Sequence, residues 1–347
     1  MIRFISRIFA VIGLIVVLTS IIGGGLQAFQ RQQALKEPSS IVLNIDFDHG
    51  ITEQNEPSAL PFALGGGENT SLFDILRALD RAKDDTHVKG IVARFGATEP
   101  SLAHVQEITA ALQKFKTSGK FTYAFGPSYG EFGLGNRTYL LASAFDVLWL
   151  QPTGTVSLTG LGLVLPFGKL ALDKIGVSAD FMQREEYKSF MDMATRDSAA
   201  QPVRENMQSI VNDLAEQEAK GIADNRHMTI EQVKDLMAKG PYTDAEAMKA
   251  GLVNKLGYLD ELDDELKQKV GDNTQYISPG SYLNLDLPKL PEPKAKVALI
   301  FGAGMIMDHE SGGINQVSGE STMGADIVST AFNAAANDKD VKAILFR

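Results

Sequence analysis

His87–Phe95 reads HVKGIVARF, and a near copy, DVKAILFR, stands at Asp340–Arg347. Each is a short, almost unbroken apolar run, the mark of a strand buried on both faces of a parallel sheet. Val88, Lys89 and Ile91 match Val341, Lys342 and Ile344 at one offset of 253 residues, and Arg94 matches Arg347. The match spreads upstream. SLFDILRALDRAKDD before the first run resembles MGADIVSTAFNAAANDKD before the second, with Ile75 opposite Val328 and Leu79 opposite Phe332. SSIVLNIDFDHGI resembles AKVALIFGAGMI in the same way. A period this long implies a duplicated domain and not a solenoid.

The periodicity around the first run predicts alternating elements. Ser39 begins a strand, SSIVLNIDF. Leu72, Ile75, Leu76 and Leu79 recur at helical spacing behind Ser71, a good N-cap. Val105, Ile108, Leu112 and Phe115 share one face of a second helix. KFTYAFG is a strand, and RTYLLASAFDVLWLQP reads helix, turn, strand. A β-α-β-α-β succession calls for a parallel sheet covered by helices. Further on, LPFGKLALDKIG predicts a short helix and VSADFMQ a short strand. A long amphipathic helix follows, with Val203, Met207, Ile210 and Leu214 inward. Thr229 with Gln232, and Thr243 with Glu246, have the spacing of capping boxes, and Gly251 sits at a helix end. Pro279, Pro288, Pro291 and Pro293 mark an extended connection.

Composition narrows the class. The chain has 347 residues, long for a single domain. A net charge of -10 argues against a nucleic-acid partner, which needs a basic face. With no cysteine there are no disulfides, no thiolate nucleophiles and no Cys-type zinc site. Arg3 and Arg7 precede an uncharged, mostly apolar run from Ile8 to Leu26. At about 1.5 Å per residue it matches the roughly 30 Å hydrocarbon core. A cleavable signal peptide usually has a shorter apolar stretch, so an uncleaved anchor is the expectation. The basic residues before the run favour a cytoplasmic N-terminus and a body outside the cytoplasm, with Arg31 and Lys36 opposing. The organisation expected is an anchor over residues 1–38 (transmembrane about 8–26), a first repeat over 39–272, a Pro-rich linker over 273–295 and the start of a second repeat over 296–347. The first copy continues far past Arg94 and the second stops at the matching point, so a truncated chain is expected, with a vestigial second copy as the alternative.

Lys188 is the residue most suggestive of chemistry. It follows an expected strand, between Tyr187 and Ser189, in DFMQREEYKSFMDMATRD. The plain alternative is an exposed lysine paired with Glu185 or Glu186, and those carboxylates favour the protonated amine. Ser101 opens a helix after the first buried strand and reads as an N-cap. Asp48 and His49 lack a further histidine at metal-ligand spacing and read as a strand-end turn; no metal or cofactor is expected. GAGMI lacks the third glycine of a dinucleotide loop. Trp149 reads as core or interface.

Taken together, RTYLLASAFDVLWLQPTGTVSLTGLG, EEYKSFMDMATRDSAAQPVRENMQSIVNDL, GPYTDAEAMKAGLVNKLGYLDEL and the N-terminal apolar run resemble the signal peptide peptidases of the long, duplicated form, the protease IV family. The resemblance implies a crotonase/Clp-protease-like α/β fold, a spiral of βαβ units with a helical tail. It implies a membrane-bound serine endopeptidase with a Ser–Lys dyad that degrades cleaved signal peptides, short apolar segments, at a bacterial inner membrane. The full-length form is implied to be a homo-oligomer. Lys188 matches the family's general base. The nucleophilic serine is implied to come from the second repeat, in a Gly-rich turn after the strand beginning VKAILFR, and is absent from this chain. The chain alone is therefore expected to be inactive. Two other classes stay open: a crotonase-like acyl-thioester enzyme, and a non-catalytic scaffold that binds peptides at the membrane.

Overall fold

The computed structural model describes residues 38–53, 70–130, 135–285, 295–309 and 322–347. The expected anchor at residues 8–26 lies outside them. Among the described residues no helix is long and apolar enough to cross a membrane. The chain divides into a larger unit, Ser39–Thr52 with Glu56–Tyr282, and a smaller one that includes Leu283–Arg347.

The larger unit opens with β1 (Ile41–Asp46), β2 (Ile51–Thr52), β3 (Thr70–Ser71), α1 (Leu72–Asp84), β4 (Val88–Arg94), α2 (Leu102–Lys116), β5 (Phe121–Gly126), α3 (Asn136–Ser143) and β6 (Val147–Leu150). It continues with β7 (Thr155–Val156), α4 (Lys169–Lys174), α5 (Asp192–Thr195), α6 (Gln201–Arg226), α7 (Ile230–Lys239), β8 (Tyr242–Thr243) and α8 (Asp244–Lys249). It closes with β9 (Lys255–Leu256), α9 (Leu259–Val270), β10 (Gln275–Ile277) and α10 (Pro279–Leu283). Six strands pair in the order β10-β1-β4-β5-β6-β9, and every pairing is parallel. This is the helix-covered parallel sheet that the β-α-β succession requires.

Strand alternation sends side chains to two separate layers. On one face Val42, Val92, Tyr123, Phe125 and Trp149 pack with Leu262 and Leu266 of α9. Trp149 is thus a core residue, with Lys255 Nζ 5.0 Å from its ring centre. Strand residues of opposite parity, among them Leu43, Ile45, Ile91, Ala93 and Leu148, are fully buried, as are Ile75 and Leu79 of α1 and Leu112 and Phe115 of α2. The predicted stripe of α2 is the observed one: Val105, Ile108, Leu112 and Phe115 are its buried residues. Ser71 Oγ caps α1 by accepting from Asp74 N at 3.2 Å. Both predicted capping boxes form, and Gly251 takes a left-handed φ of 73° just past α8. Within the stretch read as a connection, β10 pairs with β1 and α10 follows it.

The smaller unit contains β11 (Lys296–Ile300), β12 (Met305–Met307), β13 (Thr322–Gly324), α11 (Ala325–Asn337) and β14 (Val341–Phe346). It repeats the opening of the larger unit in element order and strand pairing. β11 pairs with β14 in parallel as β1 pairs with β4, and each pair shifts register after its first residue. β12 pairs with β13 as β2 pairs with β3. Helices α1 and α11 are each 13 residues long. Asp85 Oδ1 accepts from His87 N, and Asp338 Oδ1 accepts from Asp340 N, at the shared offset. One device is missing: Gly324 stands where Ser71 caps, so α11 has no side-chain cap.

Two sequence expectations fail. VSADFMQ, residues 177–183, forms no strand. Its alternation is genuine, but the segment is largely exposed and finds no ladder partner among the described residues, and a strand needs its backbone groups paired. On α6 the stripe is inward only at Val203. Met207 is half-buried, and Ile210 and Leu214 are 46% and 37% exposed. The helix buries its other end instead, through Glu218, Ala219, Ile222 and Ala223.

Candidate functional site

Between β7 and α6 the chain leaves the core as an arm. Its root is tied down. Residues 155–159 run along the turn after β5, with Tyr129 N donating to Thr155 O (2.8 Å), Ser157 N to Tyr129 O (2.9 Å) and Gly135 N to Ser157 O (3.1 Å). The approach is close enough to demand glycine, since a Cβ on Gly135 would lie 2.3 Å from Tyr129 O. At Thr159 a side chain takes over. Asn136, fully buried, donates from Nδ2 to Thr159 O at 2.7 Å, and its Oδ1 accepts from Thr159 N at 2.8 Å. The same Nδ2 donates to Glu218 Oε2 of α6 at 3.2 Å. Glu218 is 2% exposed. Burial raises its carboxyl above the ordinary range, opposed by the Asn136 hydrogen bond and the Arg137 charge.

Beyond Thr159 the arm is apolar and uncovered. Val164, Ile175, Met182 and Phe190 are among its exposed side chains, Met182 completely so. Inside the arm, Gly168 N donates to Met193 O at 2.7 Å. Asp192, 4% exposed, has Oδ2 3.4 Å from Arg196 Nε.

Lys188 lies in this arm. The turn before it depends on Glu185, which holds a left-handed φ of 66°, and Lys188 N donates to Glu185 O at 3.4 Å. In the amide orientation its neighbours dictate, Gln183 donates to Lys188 O at 3.2 Å and to Asp192 Oδ1 at 3.3 Å. Lys188 lines an open depression of about 460 Å³ with Met182, Gln183, Arg184, Tyr187, Ser189, Phe190 and Met191. The lysine is exposed, and among the described residues no ion pair joins it to Glu185 or Glu186.

The other sequence candidates stand elsewhere. Ser101 Oγ caps α2 by accepting from His104 N at 3.2 Å, and Ser101 does not line the depression. Asp48 and His49 form a turn at the end of β1, where Asp48 N donates to Asp46 Oδ1 at 2.8 Å. Among the described residues no three His, Asp or Glu side chains are grouped to hold a metal ion. Sequence reading passed over the turn after β5. That turn carries Gly130 and Gly135 and opens α3, and its Ser128 is buried, with Oγ accepting from Thr155 N at 3.1 Å. Sequence reading also passed over Asn136 and Glu218, whose 82-residue separation leaves no local signal.

Comparison with known proteins bears on the arm directly. Residues 132–273, which include Lys188, match the family described as Peptidase family S49. Protease 4 of Salmonella typhi is 29% identical over 297 residues, 81% of this chain and 45% of the relative. Protease 4 of Haemophilus influenzae is 26% identical over an alignment of 359 residues, 96% of this chain and 55% of the relative. A chloroplastic Serine protease SPPA of Arabidopsis thaliana is 24% identical over 191 residues. The chain thus spans about half the length of the bacterial relatives it matches. The resemblance to protease IV read from the sequence is present in these relatives' names and in the family match.

Proposed function

From this likeness to serine peptidases of family S49, we propose that the chain is the base-bearing part of a membrane-anchored Ser–Lys endopeptidase that degrades cleaved signal peptides. The observation that carries the reading is Lys188, which stands beside an open depression on an apolar arm within the matched segment. In this reading the parallel sheet is the first turn of a crotonase/Clp-protease-like spiral. The anchor holds the body on the outer side of a bacterial inner membrane. The full-length form is a homo-oligomer, and further polypeptide covers the arm.

The chemistry assigns Lys188 one task. A serine hydroxyl is a weak nucleophile until a base takes its proton. Neutral Lys188 Nζ accepts that proton as the serine oxygen attacks the scissile carbonyl. The resulting ammonium then gives the proton to the leaving amine, and water repeats the sequence to release the acyl group. A lysine acts as a base only in its neutral form. The arm must therefore be covered before Lys188 works, because desolvation is what frees the amine of its proton. The exposed apolar side chains around it, such as Phe190 and Met182, are what a covering surface would seal.

The nucleophile in this reading comes from polypeptide corresponding to the relatives' unmatched half, in a Gly-rich turn that aims backbone N–H groups at the developing oxyanion. The first copy carries a glycine-containing turn after β5 and a Gly-poor one, ending at Ser101, after β4. The test is complementation. The purified chain alone should turn over a fluorogenic apolar peptide at background rate. Co-expression with the second half of a duplicated relative should restore turnover, and Lys188→Ala should abolish it. Full turnover by the chain alone, or by the complemented Lys188→Ala variant, would refute the reading.

A further inference from the structure

We propose that Asn136 and Glu218 form a positioning pair that fixes the root of the Lys188 arm, and so sets where the lysine is held for its partner. The functional half of this inference rests on the reading of Lys188 as the general base; the structural half does not.

Thr159 is the last residue before the exposed part of the arm, and its backbone N–H and C=O are both bound by one buried amide. That two-bond clasp fixes the direction in which the chain leaves the core. An amide used this way must not rotate, and Glu218 supplies the constraint. Its Oε2 accepts from the same Nδ2 that holds Thr159 O, so a flipped Asn136 would face its oxygen toward a carboxylate. Glu218 comes from α6, the helix into which the arm returns. One three-residue cluster therefore links the arm's exit to the helix at its far end.

A nearly fully buried carboxylate is a costly means of holding an asparagine unless it brings something besides stability. The charged groups acting on it are Arg137 of α3 and Glu99 of the loop after β4, which pair with each other at 2.8 Å. Burial raises the Glu218 carboxyl while the Asn136 bond favours its ionised form, so losing that bond would leave a buried acceptor unpaired. The root is thus a clasp that needs both partners.

Amide hydrogen exchange of the full chain tests this without any activity. Peptides covering residues 155–168 report the root, and peptides covering β1 and β4 report the core. Asn136→Ala should speed root exchange about tenfold or more with core exchange unchanged, the loss expected for buried bonds. Glu218→Gln, which keeps an acceptor for Asn136, should stay protected, and Glu218→Ala, which removes it, should also speed root exchange. Unchanged root exchange in Asn136→Ala or Glu218→Ala, or equal loosening of the core, would each overturn the proposal. In the complemented enzyme Asn136→Ala should lower kcat with little change in KM. Failure of complementation itself would count against Lys188 as the base and leave the exchange result standing.

Discussion

Replacing Tyr282 with phenylalanine removes one oxygen from a well-defined cluster. Tyr282 is fully buried on α10, and its hydroxyl donates to Asp85 Oδ2 at 2.8 Å. The other carboxyl oxygen accepts from His87 N at 2.8 Å and lies 2.9 Å from His87 Nδ1. Phenylalanine keeps the ring and its contact with Arg81, whose guanidinium is 5.3 Å from the ring centre. What is lost is a hydrogen bond to a charged group, so the cost is about 1.5–3 kcal/mol. For a domain of this size that lowers Tm by roughly 3–8 °C. The pH dependence is the sharper test. Burial raises the Asp85 carboxyl, but hydrogen bonds from the His87 backbone, Tyr282 and the His87 side chain outweigh it and hold the group below its ordinary value. A carboxyl depressed in the folded state contributes stability above its unfolded value, near 3.9, and loses it as the pH falls through the folded value. Thermal melts followed by circular dichroism should show a constant gap between wild type and Tyr282→Phe from pH 7 to 5. The gap should narrow as the pH drops below about 4, where the acceptor neutralises. A gap that stays constant into acid, or a variant as stable as wild type at pH 7, would refute the assignment of this bond.

Two further outcomes follow from caps. Lys120 Nζ donates to Ala82 O at 2.5 Å and Asp85 O at 2.6 Å, closing the C-terminal end of α1. Lys120→Met should lower the urea midpoint by an amount worth about 1.5–3 kcal/mol with an unchanged m-value. Ser101→Ala should cost about 1 kcal/mol of stability through the lost N-cap of α2. It should leave peptide hydrolysis by the complemented enzyme intact, and a loss of hydrolysis would make Ser101 a nucleophile after all.

The sheet and its helices were legible because burial there follows a local period. Val105, Ile108, Leu112 and Phe115 announce one face of α2, and the continuous run at Val88–Arg94 announces a strand buried on both sides. The duplication was legible for the same reason, since equal offsets carry equal hydrogen bonds. The arm was misread where period and burial part company. Residues 177–183 alternate without a neighbouring strand, and Ile210 and Leu214 form a stripe that nothing among the described residues covers. Lys188 was visible only through its neighbours' likeness to a family, because an exposed lysine has no pattern of its own. Asn136 and Glu218 were invisible: an asparagine in a helix and a glutamate in a charged helix look solvated until the fold brings them together.

The sheet's order has a consequence during synthesis. One flank of β1 is taken by β4, 47 residues later at Ile41↔Val88, but the other waits for β10, at Ile41↔Gln275. Contacts so distant along the chain are slow to form. At translation rates of 5–20 residues per second, the ribosome needs roughly 10–45 s between making β1 and making its last neighbour. Throughout that interval β1 offers a row of unsatisfied backbone groups to any passing strand. A nascent chain stalled before residue 275 should therefore bind holdase chaperones, and one stalled well beyond residue 283, with β10 and α10 clear of the exit tunnel, should be released from them.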